Sequence, residues 1–212
     1  LNPIIKAIDS KQPDADLIAQ AVQVLRRGGI VAYPTRCLYG LAADALNPEA
    51  VDRVYRIKGR PADKALSILI PKRKTLGDLV ADISSAANAL MDQFWPGDLT
   101  LLFRAKAGLP RNLTAGTGKI GIRLPAHPVA KALVEGFGGS MTATSANLSG
   151  GPGCFRISDF HNSLMEKLDM VLDAGPLEGG MGSTIVDVST NEVSVLREGV
   201  VSAGNIFDVG QP

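Results

Sequence analysis

Short apolar runs recur along the whole chain, separated by stretches whose apolar positions return at helical spacing. That alternation restricts the chain to a mixed α/β fold, because strands and helices must each bury an apolar face against a partner layer. Leu17, Ile18, Ala21, Val22, Val24 and Leu25 share one helical face ahead of Gly28 and Gly29, with Asp14 or Asp16 as its cap. Asn47 followed by Pro48 starts a second helix over 49–57. Further helices are expected at 84–94, 128–135 and 158–167, and strands at 30–33, 66–70, 99–104, 120–124, 141–144, 170–172, 183–187 and 193–196. The last two strands, joined by a short turn at 189–192, form an antiparallel hairpin, so the sheet is mixed. No linker, composition shift or repeat divides the 212 residues, and one domain over 1–212 is expected, built on a single twisted mixed sheet flanked by helices.

Composition excludes several classes. With 45% apolar and 20% charged residues the chain is neither disordered nor fibrous. No apolar run approaches the roughly 18 residues of a membrane span, and no secretory leader is visible, so a cytoplasmic protein with no membrane partner is expected. Two cysteines, Cys37 and Cys154, read as reduced thiols rather than a disulfide framework. The net charge of +1 hides an asymmetry. Between Val51 and Lys74 lie eight bases and two acids, whereas from Gly151 onward lie three bases and nine acids. The basic window points either to a solvated face or to an anion site, RNA included.

Several apparent motifs carry no chemistry. The GxGxxG run at 116–121 precedes a strand, whereas a dinucleotide loop follows one. Gly118 and Lys119 do not make a Walker loop, since Leu113 and Ile120 stand where glycine and a hydroxyl residue belong. His127 and His161 have no zinc-ligand spacing to the cysteines. Cys37 has no histidine partner marking it as a nucleophile.

The informative pattern is the placement of polar and cationic residues at the ends of apolar strands, where α/β sheets bind ligands. Thr35 follows the strand at 30–33. Lys58, Gly59, Arg60 and Lys64 stand before the strand at 66–70. Arg123 ends the strand at 120–124, Thr144, Ser145 and Asn147 end the strand at 141–144, and Arg197 follows the last strand. Lys58 and Arg60, two apart in an extended stretch, would point the same way. Arginine offers a fork to phosphate or carboxylate, lysine a point charge. Together these groups describe an anionic-ligand site.

These residues stand in a recognisable order: YPT and YGL within 33–41, KGRPADKALSILI at 58–70, WPGDLTL at 95–101, IRLPAHP at 122–128, TSANLSG at 144–150, STIVD at 183–187 and LREG at 196–199. In this the chain resembles the YrdC-like threonylcarbamoyl-AMP synthases over nearly all its length, in their short form. The resemblance implies a twisted α/β fold around a large basic cavity. It implies condensation of L-threonine, bicarbonate or CO2, and ATP into threonylcarbamoyl-adenylate with release of pyrophosphate, assisted by Mg2+ carried with ATP. A separate transferase complex would then deliver the group to tRNA, and the basic surface would allow tRNA contact. It places Lys58, Arg60, Lys64, Thr144, Ser145, Asn147 and Arg197 on the nucleotide, with Lys58 and Arg60 as catalytic residues, and Thr35, Arg123 and Ser183 on threonine. Two departures stand out. Arg36 replaces the acid that relatives carry after YPT, and Leu69 replaces the histidine of some relatives. A related carbamoyl- or acyl-adenylate former and an RNA-binding module of the same fold are the competing expectations, although aromatic residues at 5% leave little for base stacking.

Overall fold

A computed structural model describes residues 2–190 and 192–210. Its elements, in chain order, are β1 (Ile4–Ala7), α1 (Ala15–Arg26), β2 (Val31–Pro34), β3 (Tyr39–Ala42), α2 (Pro48–Lys58), β4 (Ser67–Leu69), α3 (Leu76–Leu79), α4 (Ser85–Phe94), β5 (Leu99–Arg104) and β6 (Lys119–Arg123). They continue with α5 (Pro128–Phe137), β7 (Met141–Thr142), β8 (Thr144–Ser145), α6 (Asn162–Met165), β9 (Met170–Asp173), β10 (Thr184–Asp187), β11 (Ser194–Arg197) and α7 (Ala203–Gly210). The mixed α/β class is as the sequence implies. Strands β1, β3 and helices α3 and α7 were not expected from it. The hairpin of β10 and β11 is antiparallel; Asn191 of its turn lies outside the described residues.

Local chemistry fixes the helices. Asp14, not Asp16, caps α1, its Oδ1 accepting from Leu17 N at 2.9 Å. Ile18, Ala21, Val22 and Leu25 form the buried stripe, which packs with Val129, Ala130, Leu133 and Val134 of α5 against one face of β2 and β9. Ile30 and Ala32 point into the other, larger core cluster while Val31 and Tyr33 join the first. Burial on both faces is why this strand reads as an unbroken apolar run.

The expected single sheet is instead two, ordered β1-β9-β2-β3-β8 and β11-β10-β5-β6-β4-β7. The strand expected at 141–144 is the joint between them. Met141 and Thr142 pair with β4, then Thr144 and Ser145 pair with β3. Period-two patterning does not reveal this, because what changes at the joint is the partner strand. Thr142 locks the joint. Its buried Oγ1 donates to Leu41 O at 3.1 Å and accepts from Ala43 N at 3.0 Å. Thr142→Val is nearly isosteric but leaves that buried N–H unpaired, so a stability loss of about 1–3 kcal/mol is expected in urea denaturation. A midpoint equal to the parent's would show that the side-chain bonds are replaced at no cost.

The helix expected at 158–167 is also corrected. It is a 3-10 turn, Ile157–Asp159, followed by the short α6. Between them Phe160 is extended, and its ring meets Tyr39 edge-to-face with centroids 5.5 Å apart. Burying that ring wins over helix continuity, and His161 restarts the helix by accepting from Ser163 N.

Candidate functional site

The corner where the two sheets part holds a cavity of about 240 Å³. One wall is Tyr33, Thr35, Tyr39 and Gly40 with Thr144 and Ser145 of β8; the other is Ser67, Thr100, Arg123, Ser183 and Arg197. Arg60 reaches it from the loop after α2. Seven of the ten residues expected at the site therefore line one cavity: Thr35, Arg60, Arg123, Thr144, Ser145, Ser183 and Arg197. A wider, open groove of about 890 Å³ runs over Val24, Arg27, Arg53 and Asp169 at the opposite end of β2, and none of the ten lies there.

Lys58, Asn147 and Lys64 are not in the wall. Lys58 and Arg60 do not lie in an extended stretch, which corrects their expected geometry. Lys58 is the last residue of α2, and Gly59 ends the helix at φ +57°, a left-handed conformation that favours glycine. The reversal sends Lys58 inward, where it is 2% exposed, and Arg60 towards the cavity. Lys58 Nζ donates to Ser145 O, to Asn147 O at 2.6 Å and to Asn147 Oδ1 at 3.3 Å. Ser145 Oγ donates to the same Oδ1. The Lys-x-Arg and Ser-x-Asn pairs thus interlock, with Lys58 and Asn147 holding Ser145 from behind. Burial, with Arg60 adding to it, pushes the Lys58 ammonium down to about 8. Lys64 is exposed, and it is its carbonyl that is used, accepting from Arg60 Nε at 2.8 Å and Tyr55 OH at 2.9 Å.

Three guanidinium groups face the cavity and no carboxylate lines it. Arg197 Nη2 donates to Ser183 O at 2.7 Å. Burial, and after it the Arg123 cation, lowers its pKa, so two like charges share a poorly solvated wall. An anion relieves that repulsion. Burial likewise drives the Tyr33 hydroxyl up to about 12, against the pull of Arg123, so it stays neutral. Two hydroxyls in the wall escaped the sequence reading. Thr100 Oγ1 lies 2.9 Å from Ser183 Oγ, and Ser67 flanks Gly121, where an added Cβ would sit 2.7 Å from the Ser67 Oγ. The available signal was a single hydroxyl inside each of two otherwise apolar strands.

Both sequence departures have structural answers. Leu69 faces away from the cavity into the cluster of Val129 and Leu133. Arg36 pairs with Asp98 at 3.0 Å, and Asp98 also meets Arg123 at 3.3 Å. These groups line a second hollow of about 250 Å³ that shares Thr35 and Arg123 with the first. Three of the eight bases of the basic window are not free surface charges. Arg53 pairs with Asp169, Arg73 with Asp92, and Lys58 is buried.

Among the described residues no group of three His, Cys, Asp or Glu could hold a metal. The cavity wall offers hydroxyls and cations, which do not fit a protein-held Mg2+. No described helix is long and apolar enough to cross a membrane.

Residues 23–199 match the Sua5/YciO/YrdC family profile, described as "Telomere recombination". The chain belongs to that family. It is 38% identical, over 92% of its length, to the threonylcarbamoyl-AMP synthase of Bacillus subtilis, of which it spans 57%. The crystal structure of Sua5 from Pyrococcus abyssi complexed with L-threonine superposes with a TM-score of 0.92 at 34% identity, covering 97% of this chain and 60% of that one. Escherichia coli YciO gives 0.87 at 28% identity, covering 96% and 99%. The chain thus spans little more than half the length of the Bacillus and Pyrococcus relatives.

Proposed function

We propose that the chain condenses L-threonine, bicarbonate or CO2, and ATP into L-threonylcarbamoyl-adenylate, releasing pyrophosphate, as a nucleotidyltransferase serving tRNA threonylcarbamoyladenosine synthesis. The observation that carries this reading is the convergence of Arg60, Arg123 and Arg197 on a hydroxyl-lined cavity with no carboxylate in its wall. The relatives' names and the threonine bound to Sua5 support the substrate assignment.

In this reaction the carboxylated amine of threonine, a carbamate anion, attacks the α-phosphorus of ATP. The new bond is O–P, and pyrophosphate carries away the electron pair of the bond that breaks. No enzyme nucleophile is required. Cys154 is 3% exposed, and burial raises the Cys37 thiol, so neither is an activated thiolate. Anion approaches anion, so catalysis consists of positioning and charge neutralisation. Arg60 and Arg197 hold the phosphates; Thr144 and Ser145, braced by Lys58 and Asn147, fix the nucleotide on the opposite wall, and the exposed Lys64 ammonium meets it from outside. Mg2+ would arrive with ATP and add its charge to the phosphates.

At the other end Arg123 takes the threonine carboxylate, with Ser183 beside it. Thr35 Oγ1 donates to Leu38 O at 2.5 Å and accepts from Leu38 N at 3.4 Å, so only one lone pair is left, which suits the substrate's amine or hydroxyl rather than its carboxylate. The adenylate is a labile mixed anhydride, so a threonylcarbamoyl transferase complex must consume it. Ion pairing of Arg53 and Arg73 and burial of Lys58 weaken the charge argument for an RNA-binding module.

The test is pyrophosphate release by the purified chain with threonine and bicarbonate each supplied or withheld. Release that requires both supports the reaction; release indifferent to threonine overturns the substrate. Arg123→Lys removes the fork but keeps the charge, and is expected to raise the threonine KM about tenfold or more while the ATP KM moves less than about twofold. Equal changes in both would place Arg123 on the nucleotide instead.

A further inference from the structure

Asp98 sits in the turn ahead of β5 with its carboxylate between two arginines. Its Oδ2 forms an ion pair with Arg36 Nη2 at 3.0 Å, and its Oδ1 accepts from Arg123 Nη1 at 3.3 Å. The main chain of this turn is clamped on both sides. Gly97 N donates to Leu124 O at 2.9 Å, next to Arg123, and Asp98 O accepts from Thr184 N at 3.0 Å, next to Ser183. The carboxylate is therefore mounted on the two strands that present Arg123 and Ser183.

Among the described residues, the bond to Asp98 is the only hydrogen bond of the Arg123 side chain. It uses Nη1 and leaves the Nε–Nη2 edge, the one that grips a carboxylate with two parallel bonds, without a protein partner. Beyond Arg123 lies the second hollow, walled by Pro125, Ala126, Pro128 and Ala130. That space lets an untethered guanidinium swing out of the first cavity. Arg36 and Arg123 against Asp98 leave one positive charge, which an amino-acid carboxylate neutralises.

We propose that Asp98 is the positioning residue that holds Arg123 at the edge of the cavity for the amino-acid carboxylate, with Arg36 as its second, outer partner. This rests on the assignment of Arg123 to threonine in the proposed reaction. Asp98 touches no reacting atom; it acts through Arg123.

Asp98→Asn keeps the shape and removes the charge. In steady-state pyrophosphate release the threonine KM is expected to rise about tenfold, with the ATP KM within about twofold and kcat within about threefold of the parent. Asp98→Glu, which keeps the charge, is expected to restore most of the loss. A threonine KM that stays put or falls, or one that rises in step with the ATP KM, would overturn the proposal; a fall would mean that Asp98 only subtracts charge from the site. A second measurement does not depend on turnover. In side-chain 15N spectra of arginine, Arg123 is expected to show hindered rotation about Nε–Cζ in the parent and free rotation in Asp98→Asn. Identical spectra would refute the tether even if the parent is active. Hindered rotation lost in the variant, in a parent that releases no pyrophosphate with threonine, would uphold the tether and refute the proposed reaction.

Discussion

Lys58→Met is expected to lower stability by about 2–4 kcal/mol and turnover by about a hundredfold or more. The ammonium has three hydrogens and meets three oxygens: Ser145 O, Asn147 O and Asn147 Oδ1. Methionine fills the same space and donates to none of them. Asn147 Oδ1 keeps the Ser145 hydroxyl, but the two carbonyls are stranded in a region where Lys58 itself is 2% exposed. Each stranded group costs about 1–3 kcal/mol, and relief of the buried charge returns only part of that. The turnover loss follows from geometry, since Ser145 and Thr144 line the cavity on a strand of two residues and move when their brace goes. The pH dependence has a definite sign. The folded-state pKa of about 8 lies below the ordinary 10.5, so the folded chain binds fewer protons between those values. The penalty of the buried charge is fully present below pH about 8 and is relieved as pH rises towards 10.5, and the stability gap between parent and variant widens across that window. Urea denaturation at pH 7 and pH 10 measures both effects. A variant that unfolds with the parent at pH 7 would mean that water reaches the two carbonyls.

Much of this site is legible in the sequence because its side chains stand at the ends of apolar runs, and such runs announce strands. Thr35, Arg123, Thr144 and Ser145 are found that way, whereas Ser183 enters only through the family resemblance; the caps Asp14 and Asn47 announce their helices equally directly. What stays hidden depends on pairing across the chain. The break between β7 and β8 leaves no mark on the residue pattern, because Ile68 and Leu41 supply equally apolar partners for its two halves. Gly59 reads as part of an extended stretch until its left-handed φ separates Lys58 from Arg60. The basic window reads as one charge until Asp169 and Asp92, both remote in sequence, take up two of its arginines. Asp98 is the sharpest case. Within WPGDLTL it is one more turn residue, and only the approach of Arg36 from one side and Arg123 from the other gives it a role.

Arg60→Ala is expected to cut adenylate formation by about 10²–10³ and to leave the fold nearly as stable as before. The two effects separate because the guanidinium has two tasks. Its Nε donates to Lys64 O at 2.8 Å and its Nη2 to Ala65 O at 2.7 Å, which closes the loop between α2 and β4. That closure has a reserve, since Tyr55 OH also donates to Lys64 O. Loss of two partly exposed hydrogen bonds then costs about 1–2 kcal/mol. The guanidinium also lines the cavity and keeps N–H donors to spare there, and no other lining residue from this loop carries a positive charge. A cation aimed at the charge that builds up on departing pyrophosphate acts in the transition state, so its loss falls on kcat more than on the threonine KM. Arg60→Lys is expected to lie between parent and alanine variant, because it keeps a point charge but neither the fork nor both loop bonds. Pyrophosphate release and thermal melting of the three proteins, run side by side, decide the matter. Full activity with a lowered melting temperature would make Arg60 a loop clip; lost activity with an unchanged melting temperature makes it part of the machinery that moves the nucleotidyl group.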